Sequence, residues 1–166
     1  MKSTSFFRIG AALLALLCAR TSFAQEIARV DTLPVIVITA KSLVSKKVTE
    51  AFKSDFKDAT NAKWFRINKN YLIKFLTKDQ NNHALYHKNG SLYYHIAYGN
   101  GSNLPDDVRN KIKKQYSNGK IITAIQVNQD NRHVWLINME VGKLYILVRE
   151  EDGELLEVER IKNATA

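Results

Sequence analysis

A single cysteine, two prolines and no apolar run longer than about eleven residues mark this 166-residue chain by what it has little of. The cysteine, Cys18, lies in a segment with the three parts of a secretory signal: basic Lys2 and Arg8, an apolar stretch from Ile9 to Ala19, and a polar end closing on Ala24. Removal of residues 1–24 leaves no thiol, which excludes disulfides and cysteine nucleophiles and leaves stability to an ordinary core. The apolar stretch is too short for a hydrocarbon layer that needs about twenty residues, so no transmembrane anchor is expected. Export to the periplasm or the exterior, with cleavage near Ala24, follows.

Charge of one sign is also not concentrated. The formal +9 falls by three, to +6, without Lys2, Arg8 and Arg20. The remaining cations are interleaved with Glu50, Asp55, Asp58, Asp106 and Asp107, the pattern of solvated helix faces. A nucleic-acid partner would call for a basic strip with interleaved aromatics, and that is missing. Chemistry is equally sparse. His83 and His87, the best metal pair by type, lie about 13 Å apart on a strand, beyond a shared ion. The serines occupy caps, turns and loops, and the acid pairs Asp106-Asp107 and Glu150-Glu151 sit at a helix start and a hairpin turn. The reading is therefore no enzyme, with no catalytic residue, metal or cofactor.

What is present is periodicity. Residues 25–42 form an extended leader in which Pro34-Val-Ile-Val-Ile-Thr39 either adds an edge strand or stays a flexible arm. Val44, Val48, Ala51, Phe52, Phe56 and Ala59 then recur at helical spacing behind Ser42 or Ser45, either of which suits a cap. Strand patterns follow at 63–67, 71–76, 83–87 and 92–98, the last two flanking Asn89-Gly90, which predicts a two-residue hairpin turn. After the loop Gly99–Asn103, the positions Leu104, Val108, Ile112 and Tyr116 predict a second helix opened by Pro105 and closed by Asn118-Gly119. Four more strand patterns occupy 121–127, 133–139, 143–149 and 154–161.

The expected fold class is thus α+β: a tandem repeat of helix plus four antiparallel strands, 43–99 and 103–161, sharing one extended antiparallel sheet with helices on one face. A short tail, 162–166, completes the chain. Alternation places Tyr71, Ile73, Phe75, Ala84, Tyr86, Tyr93 and His95 on the helix-covered face, with Ala84 opposite His95, Tyr86 opposite Tyr93 and Phe75 beside Ala84. Leu72, Lys74, Leu76, His83, Leu85, His87, Leu92, Tyr94 and Ile96 fall on the other face, which is unusually apolar for a solvated surface.

The order helix, four strands, helix, four strands, with Val48-x3-Phe52-x3-Phe56, Ala62-Lys-Trp64, Tyr71-x-Ile-x-Phe75, Ala84-x-Tyr86 and Leu104-Pro105, resembles the exported PepSY-like, β-lactamase-inhibitor-like proteins of Bacteroidetes-type bacteria over about residues 44–161. That resemblance implies a sheet whose open face and loops grip another protein, sometimes an inhibited enzyme. The expected function is a non-catalytic binding module for a protein or peptide, with Lys74, His83, Leu85, His87 and Tyr94 as its contact residues. The alternative is a structural protein of the cell envelope that docks through its extended N-terminal segment.

Overall fold

Strands joined by short turns pair with their neighbours in sequence, and here the strands separated by a helix do so as well. The computed structural model describes residues 35–38 and 44–163. The expected signal over 1–24, its cleavage at Ala24, Cys18, most of the leader and the last residues of the tail lie outside this range.

The sheet has nine antiparallel strands in sequence order. They are β1 (Val35–Ile38), β2 (Thr60–Ile67), β3 (Asn70–Thr77), β4 (Gln80–His87), β5 (Leu92–Gly99), β6 (Lys120–Gln129), β7 (Arg132–Val141), β8 (Leu144–Glu151) and β9 (Glu154–Lys162). Helices α1 (Lys46–Asp55) and α2 (Asp106–Gln115) have ten residues each, and a 3-10 turn spans Gly101–Asn103.

These findings overturn the tandem helix-plus-four-strand repeat. The described residues form a single strand-dominated sheet with two short helices. They make one compact unit with no division near the Gly99–Asn103 loop. The junction of β5 and β6 is an ordinary ladder running from Tyr94↔Gln129 to Gly99↔Ala124. The leader strand β1, outside both supposed repeats, is a rung of the same sheet, with Val35 opposite Ile67 and Ile38 opposite Trp64. The physical reason is that backbone pairing does not stop where helix periodicity does, so helices inserted between hairpins decorate the sheet without dividing it.

Helix α1 buries Val48 and Phe52 against Tyr71, Ile73, Phe75, Ala84 and Tyr86. Phe52 is the centre of this layer, edge-on to Phe75 at 5.0 Å and to Trp64 at 5.2 Å. The Tyr86 hydroxyl donates to Asp55 Oδ2 at 2.7 Å, tying the end of α1 to β4. Burial first, and then this bond, push the Tyr86 phenol well above its ordinary range. Ser45 does precede α1, but its hydroxyl donates to the Lys88 carbonyl at 3.2 Å while its own carbonyl accepts from Val48 and Thr49. Its side chain links helix to hairpin and caps nothing. Helix α2 buries Val108 and Ile112 with Ala124, Ile137, Met139, Ile146 and Val148. Asp106 and Asp107 stand in its first turn, where the helix dipole favours them, and Lys113 and Lys114 in its last.

Between these two apolar clusters lies β5, which contributes to neither. A directional chain of polar groups crosses the sheet there. Asn82 is 2% exposed and donates through Nδ2 to Thr77 and to the Gln80 carbonyl, so its Oδ1 accepts from His95 Nε2 at 2.9 Å. His95 Nδ1 then accepts from Asn128 Nδ2 at 3.2 Å, and Asn128 Oδ1 from His133 Nδ1 at 2.7 Å. This arrangement requires His95 to be neutral, and burial lowers its pKa below 6.5.

Two register details differ from the sequence expectation. Thr77 pairs with Gln80 around a Lys78-Asp79 turn in which Lys78 has φ 49°, so Ile73, not Phe75, lies opposite Ala84. A slip of two residues leaves every side chain on its face, and only an odd slip exchanges them. In the next hairpin Gly90 alone takes positive φ, at 94°, and its N–H donates to the His87 carbonyl. The Asn89-Gly90 pair is therefore not a two-residue turn with both positions at positive φ. The extra residue appears as a bulge beside Leu85 and Tyr86, so Tyr86 faces Leu92 and not Tyr93.

Ile73→Ala, at a position with no exposed surface, lowers unfolding free energy by about 2–5 kcal/mol in urea titrations read by circular dichroism. Because the folded state holds His95 below its unfolded pKa, the unfolded chain binds the extra proton as pH drops through about 6.5, and stability falls with it. The urea midpoint is accordingly lower at about pH 5 than at about pH 7.5. His95→Gln, which keeps a donor and an acceptor but cannot titrate, shows a smaller drop over the same interval.

Candidate functional surface

Both described helices pack on one side of the sheet, so among the described residues the opposite parity of the strands has no helical cover. Register assigns its rows. Across β2 to β4 run Lys63, Lys74 and His83, continued by Ile96 on β5 and Val127 on β6. The next row is Phe65, Leu72, Leu85, Tyr94 and Gln129. Tyr98 and Ile125 lie opposite one another, followed by Leu136 and Arg149. The middle of this face is apolar and half-buried by its own neighbours, with Tyr98 and Tyr145 each 37% exposed.

All five residues singled out from sequence fall on this face. Lys74 is exposed, and its Nζ sits 5.5 Å from the centre of the Phe65 ring, a cation–π contact. His83 lies opposite Lys74 and packs edge-on to Tyr98 at 5.0 Å. Its pKa is lowered, by burial first and by the neighbouring Lys74 charge second. His87 lies opposite Asn70, with Nδ1 3.1 Å from the Asn70 amide oxygen. Tyr94 is half-buried, and burial, followed by Tyr98, raises its phenol pKa. Leu85 is only 8% exposed, flanked in register by Leu72 and Tyr94, so it supports the surface more than it presents itself.

The β5 bulge alters the roster in one place. Tyr93, expected against the helix, is 40% exposed and packs on His87 at 5.1 Å and on Tyr94 at 5.9 Å, while Leu92 moves opposite Tyr86. Sequence reasoning also passed over Tyr98, which shares parity with Tyr94 and Ile96 and was legible from that alternation. Lys63 and Phe65 likewise alternate with Trp64 in β2 and were passed over; the bulge between Thr60 and Lys63 precedes all three.

Two flanks of the face differ in charge. Around β7 and β8, Glu151 receives both Arg132, at 2.6 Å, and Arg149, at 3.6 Å. Around β2 and β3, Lys63 and Lys74 stand directly opposite one another, and neither makes an ion pair with a described residue. Beside them the β2 bulge opens a cleft of about 680 Å³, lined among others by Asn61, Lys63, Lys74, Asn81 and His83. Among the described residues no group of three or more His, Cys, Asp or Glu side chains is placed to hold a metal ion. Nor is any described helix long and apolar enough to cross a membrane.

No protein-family profile and no curated protein matches the sequence. Solved structures do match the fold. A BLIP-like protein from Bacteroides fragilis superposes with TM-score 0.56 at 19% identity, over 73% of this chain and 89% of its own. A DUF2874 family protein from Bacteroides ovatus gives TM-score 0.52 at 13% identity, over 72% and 87%. A candidate periplasmic protein from Bacteroides eggerthii gives 0.52 at 13% identity, over 74% and 91%. None of these three carries the PepSY name, and the fold shared with them is BLIP-like.

Proposed function

We propose that the chain is an exported, non-catalytic binding module that docks a protein or peptide on the helix-free sheet face, in the manner of an inhibitor. The observation that carries this reading is the face itself: a broad row of half-exposed apolar and aromatic side chains on the one side of the sheet that no described helix covers. Tyr93, Tyr94 and Tyr98 supply rigid contact area with few rotors to immobilise, the kind of side chain that dominates binding energy at interfaces. Lys74, His83 and His87 border them with polar atoms that orient a partner, and Leu85 holds the floor. The BLIP-like fold of a structural neighbour supports an inhibitor-like role, and the candidate periplasmic neighbour supports a periplasmic or secreted setting.

Docking through the N-terminal extended segment has less support. Val35–Ile38 is the edge strand, paired with β2 on one side, and its four residues offer a partner strand only a short second edge.

A photo-crosslinking side chain placed at Tyr98 in the native cell yields discrete protein adducts, whereas the same group at Lys113, on the exposed side of α2, yields none above background. Equal adducts at both positions, or adducts at Lys113 alone, reject the sheet face as the docking surface.

A further inference from the structure

Charge on the open face is unevenly settled. Two like charges directly across a strand pair are unfavourable, and Lys63 and Lys74 are such a pair, on neighbouring strands and with no acid of the described chain against either. The same face elsewhere brings two arginines to one carboxylate, Glu151. Of the described residues, no carboxylate shares the open-face rows of β2 to β5, where the titratable and charged side chains are Lys63, Lys74, His83, His87, Tyr93, Tyr94 and Tyr98. Both ammonium groups are exposed, so water and mobile counterions balance them in the free chain, and an anionic partner is complementary to them.

The shape fits the same conclusion. Between Thr60 and Lys63 the β2–β3 ladder loses register, with Asn61 at φ 53°, and the cleft opens at that point. Its rim presents the two ammonium groups, the amides of Asn61 and Asn81, and His83, all able to donate hydrogen bonds. Phe65 and Leu72 lie one row further along the strands, so a segment running along the strands from the cleft meets cations first and apolar area next.

Resting on the docking-face reading above, we propose that the partner is a protein segment carrying aspartate or glutamate beside apolar side chains, and that an acidic side chain of it enters the β2 bulge cleft between Lys63 and Lys74. The carboxylate separates the two like charges and accepts hydrogen bonds from both, while the apolar side chains cover Phe65, Leu72 and Tyr94.

The probe is a short capped peptide of glutamate and phenylalanine in a Gly-Ser frame, titrated into the isotopically labelled exported chain, with a glutamine version as its control. The glutamate peptide shifts the amide signals of Lys63, Lys74 and His83 and binds about tenfold more tightly than the glutamine peptide, a preference that added salt removes. Lys63→Glu with Lys74→Glu abolishes that preference and transfers it to a lysine peptide, while Lys113→Glu with Lys114→Glu on the helix side leaves it intact. Both substituted sets are at exposed positions, and retained amide dispersion confirms folding. Equal binding of glutamate and glutamine peptides at Leu72, Tyr94 and Ile96, indifferent to charge reversal, overturns the acidic-segment inference and leaves the docking face standing. Absence of any shift on the open face from either peptide overturns both.

Discussion

Continuity of the backbone ladder from Val35 to Lys162 is the constraint on which the rest of this structure depends. Each strand satisfies its N–H and C=O groups on the strand that precedes and the strand that follows it in sequence, so neither helix is needed to close the sheet. Once the ladder is in place, side-chain parity decides everything else. Tyr71, Ile73 and Phe75 meet α1, and Leu72 and Lys74 cannot. Bulges are the only means of changing that phase, and they fall beside Thr60–Lys63, Leu85–Tyr86, Ile121–Thr123 and Leu147–Val148.

Parity also explains what was legible in the sequence. The uninterrupted runs Tyr71–Leu76 and His83–His87 carry apolar residues on both parities, and it is Lys74, set against the uniformly large Tyr71, Ile73 and Phe75, that separates the two faces; an even slip at the Lys78-Asp79 turn did no harm. The swap of Leu92 for Tyr93 was invisible because it depends on one extra residue in a hairpin whose Asn-Gly pair advertised a tighter turn. The repeat reading failed for a different reason. Periodicity reports each helix and strand locally, but says nothing of whether backbone pairing continues across the loop at Gly99–Asn103, and it does. The leader strand was undecidable because a run of β-branched residues is equally at home in an edge strand and a free arm.

The two sides of the sheet divide labour by chemistry. Toward the helices, polar groups are buried only where they are fully matched: Asn82 and His95 within a four-residue chain, Tyr86 on Asp55, and Glu150 with Lys111 at 3.5 Å and the Gly153 amide at 3.1 Å. No buried side-chain nitrogen or oxygen among the described residues lacks a partner. Toward the open side, satisfaction is incomplete by contrast: cations stand without acids at one end, and aromatic rings are only half covered. A fold stabilised almost wholly on one side leaves the other side free to vary in composition without endangering the core.

Strict neighbour-to-neighbour order among the strands has a consequence for how the chain is made. Every sheet contact is short in sequence except the two that span a helix, β1 with β2 and β5 with β6, so contact order is low for so β-rich a molecule and loop-closure entropy is small at most steps. A polypeptide emerging amino end first through a narrow conduit could zip each new hairpin onto the last as it arrives, holding only one unpaired margin at a time, and the length of time that a sticky margin stays bare is set by the rate of emergence and not by a search for a distant mate.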